Sequence, residues 1–493
     1  MARHAVPLRG IVKYSGWNLS MSFTFKLQKL LGGKRVHVDA ATLNKHASDA
    51  WLVSHRPDAV VFADDAECVS RVMRFSNRHH VPVTVRGGGV GYVGGCVPVR
   101  GGIVLSLAQM NRIKEIHVED GVAVVEPGVL TVDLHSAARK RGLFYPPDPA
   151  SLHECTLGGN IATNAGGPRC LKYGVTRHYV LGLEVVLPTG EIVRVGSRTL
   201  KNKTGFDLVG LFVGSEGLLG TVTQATLRLL PHPPSRACLA AGFASERKAA
   251  YAVQQVLESG FLPSAIEIAD RMTLEAVRLR FSTVKHGKSR QTVWHNEHSI
   301  SMPVGQAHLL LEVDGQMSSV RAETRVLMKL LRAAGALSLE TAQTEAACER
   351  LWELRREFSR SLKATGLRKL NEDITVPRSR LVDLFDFAKS LQRKHDIRLA
   401  CFGHAGDGNI HVNLMIDESS PSQVRTSKRV LDELFRQILR WEGVITGEHG
   451  IGLAKKRWWP MAVTHKVREL HERLKNCLDP AGILNPGKFV GGR

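Results

Sequence analysis

The stretch 83–95 reads VTVRGGGVGYVGG, a short alternating segment that opens into a dense run of glycines, Gly87, Gly88, Gly89, Gly91, Gly94 and Gly95. The alternation at Val81, Val83 and Val85 predicts a strand. Residues 89–94, GVGYVG, satisfy the G-x-G-x-x-G pattern of a dinucleotide-binding turn. That pattern should open a helix, yet Cys96, Pro98 and the strand-like GGIVLSL follow, so the Rossmann reading is rejected. Two more glycine-bearing loops lie downstream, LGGNIATNAGG at 157–167 and VGSEGLLG at 213–220. Each offers closely spaced backbone N–H groups without side chains in the way, which suits a pyrophosphate. Together the three loops suit an extended dinucleotide; the alternative is a set of tight turns in an all-β region.

The 493 residues are 43% apolar and 23% charged, proportions that fit a globular protein of two or three domains and exclude a disordered or fibrous chain. Lys and Arg number 67 against 46 Asp and Glu, a net charge of +21, which bears on anionic partners and not on fold. No uncharged run reaches the length of a membrane span. The first 25 residues carry Arg3, Arg9 and Lys13 without an apolar core or cleavage site, so no secretory signal is predicted. The absence of acids there keeps organelle targeting open, and Met21 is an alternative start. Eight cysteines, none spaced C-x-x-C, argue against a zinc ribbon, an iron–sulfur cluster or a disulfide scaffold, and point to a reducing compartment.

Working outward from the first loop, 66–77 is predicted helical with Asp65 at its start, and 132–141 helical with Gly142 as a stop. Asp120-Gly121 and Thr189-Gly190 mark hairpins. Residues 146–174 read as a loop, and His232-Pro233-Pro234 as a domain linker. Beyond it, helices at 246–259, 319–334, 344–365 and 380–395 alternate with short strands such as HLLLEV and RLACFG, an α+β second domain. A helix at 464–478 and the tail DPAGILNPGK close the chain. The strip KKRWW at 455–459 reads as an exposed helix start with its tryptophans packed under the first domain, not as a nucleic-acid surface; His79-His80 reads as a helix end.

A second constellation lies in FGHAGDGNIHVNL, where His404 and His411 are bridged by a turn, and in TGEHGIG at 446–452, which carries Glu448 and His449. Two His and a carboxylate bind a divalent ion with positions left open for substrate and water. The alternative is that His449 is a hydrogen-bonded core residue and His404 a structural one.

These five segments, in this order, resemble the FAD-linked oxidase family of the vanillyl-alcohol-oxidase fold, of the glycolate oxidase, D-lactate dehydrogenase and D-2-hydroxyglutarate dehydrogenase type. The resemblance runs over about residues 45–490. It implies an α+β chain: a basic lead at 1–44, a two-lobed PCMH-type FAD domain at 45–233, a substrate- and metal-binding cap at 234–450, and a segment at 451–493 that returns to the flavin. Arg86, Gly87, Gly88, Gly89, Val90, Gly91, Gly94 and Gly95 are then expected around the pyrophosphate. Pro147, Asp148, Ser151, Gly158, Gly159, Asn160, Thr163, Asn164 and Gly166 are expected along the isoalloxazine and ribityl chain. Glu216, Gly220 and Val222 are expected on the adenine side, and Asn485 in the returning tail. Val90 stands where some relatives carry a flavin-linking histidine, so non-covalent FAD is expected; glycolate-type relatives more often have Thr there.

The resemblance further implies a divalent metal, Zn or Mn, on His404, His411 and Glu448, with His449 as the base. Asn413 is expected to contact substrate or metal, and Arg355 with Ser359 to hold the substrate carboxylate, with Ser359 in place of the usual Thr. The implied reaction takes a D-2-hydroxy acid of D-lactate or glycolate type to the 2-oxo acid. A lysine that helps relatives hold a distal carboxylate aligns with Asn371, which argues against a long diacid unless Arg378 compensates. Without iron–sulfur cysteines, electrons are expected to leave to an Fe–S subunit, an electron-transfer flavoprotein, cytochrome c or quinone, with oxygen left open. The expected location is cytoplasmic, with peripheral contact to a membrane. Two rivals remain: an ether-lipid synthase relative, disfavoured because no run of three histidines occurs, and a non-catalytic or electron-relay flavin subunit of a glycolate-oxidase-like complex.

Overall fold

In the computed structural model, which describes residues 20–51, 53–282 and 302–491, the valine alternation forms the strand Val83–Arg86. It is an edge of a four-stranded sheet ordered Val36–His37, Ala59–Phe62, Ile103–Ser106, Val83–Arg86, the last three parallel. The helix Ala66–His79 crosses between two of them. It starts where Asp65 accepts from Cys68 N at 2.6 Å and ends at His80, whose φ of 52° lets the chain turn away. Its Cys68, Val69, Val72 and Met73 are buried against the sheet. Residues 87–99 are irregular and no helix follows the glycines, as the Rossmann exclusion requires.

The expected boundary at 45 is corrected. Helix Ser20–Leu31 supplies Leu27 and Leu31 to this first core, and Val36 pairs with Val61, so residues 20–44 belong to the first lobe. A two-residue strand is too short to display alternation. Arg3, Arg9 and Lys13 lie outside the described residues.

The second lobe is a five-stranded antiparallel sheet ordered Ile113–His117, Val122–Val125, Thr221–Arg228, Val180–Val186, Ile192–Gly196. Gly121 at φ 60° and Gly190 at φ 90° make the two anticipated hairpins. Helix Thr131–Arg139 packs on it. The stretch 146–174 is not all loop: Leu157–Thr163 is helical, with Thr156 as N-cap and Asn164 at φ 52° as C-cap. Gly and Asn give it poor intrinsic propensity, and burial of Leu157 and Ile161 overrides that.

The second domain is a seven-stranded antiparallel sheet ordered Ser338–Ala342, Ser235–Phe243, Ala307–Gly315, Ala265–Ala269, Arg398–His404, Asn409–Ile416, Arg368–Thr375. Alternation splits its faces. Leu239, Leu309, Leu311, Ile266, Ile268, Leu399, Ile410, Val412 and Leu414 point to one apolar core under the helices Glu246–Glu258, Met317–Ala333, Leu381–His395 and Pro421–Arg440. The opposite parity puts Glu312, Glu267, His404, His411, Asn413, Asn371, Asp373 and Lys369 on the other face. There helix Glu345–Lys363 and the first domain cover them. The tail returns to the first lobe: Ile483 and Leu484 are in its core, and Val83 N donates to Ile483 O at 2.8 Å.

The 455–459 strip differs from expectation. Lys455 is buried and donates to Ile445 O at 2.8 Å. Trp458 packs on Phe435 in the second-domain core, and Trp459 on Leu218, Val490 and Phe489. A lysine held by main-chain carbonyls leaves no local trace in sequence.

Candidate active site

Strands Arg398–His404 and Asn409–Ile416 pair so that Phe402 faces His411 and His404 faces Asn409. The two imidazoles therefore project from the same face of adjacent strands, with ring centroids 5.5 Å apart. Gly408, at φ 82°, makes the return tight, since a Cβ there would lie 2.2 Å from Val376 O. His404 Nδ1 lies 2.6 Å from Glu267 Oε1, which turns Nε2 toward Glu448. Glu448 Oε1 is 3.7 Å from His404 Nε2 and 3.6 Å from His411 Nε2. One ligand atom from each of His404, His411 and Glu448 lies within 4.8 Å of the others.

Glu448 and His449 sit on a loop without regular structure, and Asp373 organises it. Its Oδ2 accepts from Thr446 Oγ1 at 2.8 Å and from the N–H groups of Gly447, Glu448 and His449 at 3.1, 3.0 and 2.8 Å. The His449 ring stacks between Tyr92, at 5.2 Å, and His411, at 5.5 Å. Its Nε2 is 3.8 Å from Glu448 Oε1 and its Nδ1 3.8 Å from Asp373 Oδ2.

Burial dominates the electrostatics. It pushes His449 below the ordinary histidine value, against the pull of Asp373 and Glu448. His411 is driven well below by burial and then by the neighbouring histidines. His404 goes the other way: burial opposes its charged form, but Glu267 and Glu448 hold it well above. Glu267, despite burial, is pulled down to about 2 by Arg355 and His404.

Arg355, expected at the substrate carboxylate, makes a buried ion pair with Glu267. Ser359 Oγ, one turn on, accepts from Lys369 Nζ at 2.7 Å. Asn413 Nδ2 donates to Ala400 O and His411 O, both at 3.0 Å, while its Oδ1 is buried without a partner among the described residues. Sequence reasoning missed Glu267, Asp373, Lys369 and Tyr92. Glu267 had a signal, a lone acid at the alternate position of the short strand-like run AIEIA, and Asp373 a weaker one, as one of two adjacent acids in NEDIT; Tyr92 and Lys369 had none.

The glycine loops come together. A Cβ on Gly87 would meet Thr156 Oγ1 at 2.5 Å, with Gly159 next to it, and one on Gly88 would meet Glu154 O at 2.4 Å. Gly214 N donates to Ile161 O and Glu216 N to Ala162 O, joining the third loop to the second. Asn485 accepts from Val85 N at 3.0 Å and donates to Gly217 O at 2.8 Å. Leu453 N donates to Val93 O at 2.7 Å, bringing the segment after Glu448 and His449 to the first glycine run. Gly166 abuts Glu448, where a Cβ would come 2.9 Å from Oε2.

Other expected residues serve the walls. Arg86 Nη1 donates to Ser48 O, Gly91 O accepts from Ala50 N, and Gly95 faces open space. Pro147 O lies 2.9 Å from His135 Nε2, Asp148 pairs with Arg169, and Ser151 O accepts from Glu154 N. Asn160 donates to Thr131, Thr163 to Gly159 O, and Asn164 accepts from Arg177 N. A Cβ on Gly158 would meet Pro127 at 2.5 Å, Gly220 packs on Val185, and Val222 pairs with Val185 in the sheet. Glu216, expected along adenine, accepts at its carboxylate from Ile451 N and Gly452 N.

Residues 232–489 match the family described as FAD linked oxidases, C-terminal domain, and 57–196 match the FAD binding domain. The glycolate oxidase subunit GlcD of Bacillus subtilis is 37% identical over 88% of this chain and 89% of that protein. This chain belongs to the FAD-linked oxidases. The D-lactate dehydrogenase of Anaerostipes hadrus is 34% identical over 94% of each protein. Fold likeness extends further: 4-ethylphenol oxidase from Gulosibacter chungangensis superposes with a TM-score of 0.74 at 21% identity, covering 96% of this chain and 97% of that one. An alkyldihydroxyacetonephosphate synthase superposes at 0.70, with 19% identity over 98% and 86%.

This FAD-linked oxidase is thus an FAD-dependent oxidoreductase with a PCMH-type flavin domain and an α+β cap. The loops fit the cofactor, because their glycines put no side chain between the main chain and the place where three segments converge. Replacing Gly88 by alanine is expected to displace the first loop from Glu154 O, at a cost of about 1–3 kcal/mol. The purified variant should carry less flavin, read as a lower ratio of 450 nm to 280 nm absorbance; an unchanged ratio would show that this close approach does not shape the cradle. Among the described residues, no helix is long and apolar enough to cross a membrane.

Proposed function

We propose that this FAD-linked oxidase takes a D-2-hydroxy acid, of the D-lactate or glycolate type, to the 2-oxo acid, using a divalent ion on His404, His411 and Glu448 and His449 as the base. The observation that carries the reading is the convergence of the three ligand atoms, with Glu267 orienting His404 from behind. A carboxylate accepting from Nδ1–H aims Nε2 at the convergence point, where a bound ion would displace the proton that Glu267 and Glu448 otherwise favour on the ring. Two imidazoles and one carboxylate suit Zn or Mn and leave room for a donor hydroxyl and carboxylate. Such an ion would supply a lowered hydroxyl pKa. Bound FAD supplies the acceptor for the hydrogen and electron pair of the donor carbon.

The remaining work falls to the side chains. Neutral His449 takes the hydroxyl proton at Nε2, the nitrogen facing Glu448, and Asp373 on the Nδ1 side stabilises the imidazolium that results. The stacked rings of Tyr92 and His411 hold the base in place and exclude water. Beside it lies a cavity of about 430 Å³ lined by Tyr92, Lys363, Lys369 and Asn371, among others. Lys369 has no acid within ion-pair distance among the described residues, and burial, with Lys363 and Arg355 nearby, lowers its pKa to about 7. An anionic group in that cavity would restore its charge. Asn371 lacks the cation, but Lys369, two residues earlier on the same strand face, offers one, so a hydroxy diacid joins the substrates to be tested.

Electrons then pass to an acceptor of the Fe–S, electron-transfer flavoprotein, cytochrome c or quinone class; the Bacillus subtilis relative is itself named as a subunit. The test is anaerobic bleaching of the flavin near 450 nm. D-lactate, glycolate and D-2-hydroxyglutarate are each added, with L-lactate as control, before and after chelation. A D-acid is expected to bleach the flavin, and chelation to slow bleaching by at least about 100-fold, the scale of several kcal/mol of lost charge stabilisation. Bleaching indifferent to chelation would remove the ion from the reading, and no bleaching by any acid would favour the electron-relay subunit.

A further inference from the structure

The loop 446–452 hangs between two carboxylates that belong to different domains. On the second-domain side Asp373 gathers Thr446 and the N–H groups of residues 447–449. On the flavin-domain side Glu216 Oε1 accepts from Ile451 N at 2.7 Å and Oε2 from Gly452 N at 2.8 Å. The pair Glu448 and His449 lies between these anchors. Glu216 is itself rooted in the flavin cradle: its N–H donates to Ala162 O in the second glycine loop, and its turn accepts from Asn485 Nδ2. Its φ of 51° is an unusual conformation for a residue that is neither Gly nor Asn. The fit is close, since a Cβ on Gly450 would lie 2.8 Å from Glu216 Oε1.

We infer that Glu216 is a positioning residue, which locks the Glu448–His449 loop to the flavin cradle and so sets the base at its working distance from the cofactor. The chemistry of the side chain supports this. Glu216 makes no ion pair among the described residues, so its two oxygens are committed to the two main-chain donors. Only a carboxylate accepts at both positions. A glutamine would turn its NH2 against one of the two N–H groups, and an alanine would leave both unmet. A displacement of the order of 1 Å at a reacting group costs about 100-fold in rate, so a tether distant from substrate acts on turnover and not on binding. The inference rests on the proposed roles of Glu448 and His449.

The experiment compares full-length holoenzyme with Glu216→Ala and Glu216→Gln. Bound FAD is measured from absorbance, amide exchange across 445–454 by mass spectrometry, and anaerobic flavin reduction over a range of D-acid concentrations. Both variants should keep their FAD. Exchange should accelerate in 445–454 and not in the first glycine loop. The limiting reduction rate should fall by about 10–100-fold, more for alanine than glutamine, with little change in half-saturating acid. Unchanged exchange, or reduction at the parent rate, would overturn the tether. Loss of FAD from both variants would also overturn it and make Glu216 a cofactor ligand. If no acid reduces the parent enzyme, the proposed reaction fails, and the exchange comparison alone still decides the tether.

Discussion

His449→Ala is expected to lower the rate of anaerobic flavin reduction by about 10²–10⁴-fold, the usual contribution of a placed general base. The argument is geometric first. Tyr92 and His411 sandwich the ring, and Nε2 faces the point where His404, His411 and Glu448 converge. Burial keeps the ring uncharged at neutral pH, as a proton acceptor requires, and Asp373 waits 3.8 Å from the other nitrogen. Alanine removes the acceptor without adding bulk between the two rings. Because Asp373 grips the loop through main-chain N–H groups, the loop should keep its path in the variant. FAD content and thermal midpoint should therefore stay near the parent values. A rate within a few-fold of the parent, measured by stopped flow, would assign the proton to another group.

The largest expected effect on stability is at Glu312. Its carboxylate, 1% exposed, accepts from Arg169 Nε at 3.0 Å, Arg236 Nη1 at 2.8 Å, Trp352 Nε1 at 2.8 Å and Ser264 Oγ at 3.3 Å. Arg169 belongs to the flavin domain and also holds Asp148, so this acid joins the two domains, as Asp314 does through Lys172 and Tyr173. Burial opposes its charge, but the two arginines pull its pKa down to about 2. Glu312→Gln takes one counter-charge from each of two buried guanidinium groups, while Asp148 stays on Arg169 and Glu345 and Glu349 stay on Arg236, a loss of about 1.5–3 kcal/mol. The sign with pH follows from the lowered value. The stabilisation is complete above the ordinary glutamate range near 4.5 and fades as pH falls toward 2. Urea midpoints at pH 7 should separate parent from variant, and the gap should narrow progressively as pH falls from about 4.5 toward 2. A gap that persisted undiminished at acid pH would mean that packing, not charge, accounts for it.

The flavin domain was readable in the chain because its demands are local. A backbone that comes close to an anion or to another segment needs glycine there, and the runs at 86–95, 157–167 and 213–220 mark such places; their order along the chain, with the two histidine-bearing segments, carried the resemblance that chose a dinucleotide over tight turns. Alternation in FGHAGDGNIHVNL likewise puts His404 and His411 on one face once the turn between them is recognised. The N-terminal boundary was not readable, because Val36–His37 gains its meaning only by pairing with Ala59–Phe62. Pro421–Arg440 escaped notice despite a clear helical period, whereas Leu157–Thr163 is a helix that its own residues disfavour.

Within the active site the division falls the same way. Residue type pointed to the metal candidates His404, His411 and Glu448 and to the glycine cradle, and the family resemblance added His449 as the base. Tertiary structure decided their partners: Glu267 behind His404, Asp373 and Glu216 on either side of the Glu448–His449 loop, Lys369 against Ser359, and Tyr92 over His449. The reason is range. A glycine's freedom or a strand's alternation is set within a few residues, but a buried carboxylate takes its function from donors that chain folding brings to it, 235 residues away in the case of Glu216 and Ile451.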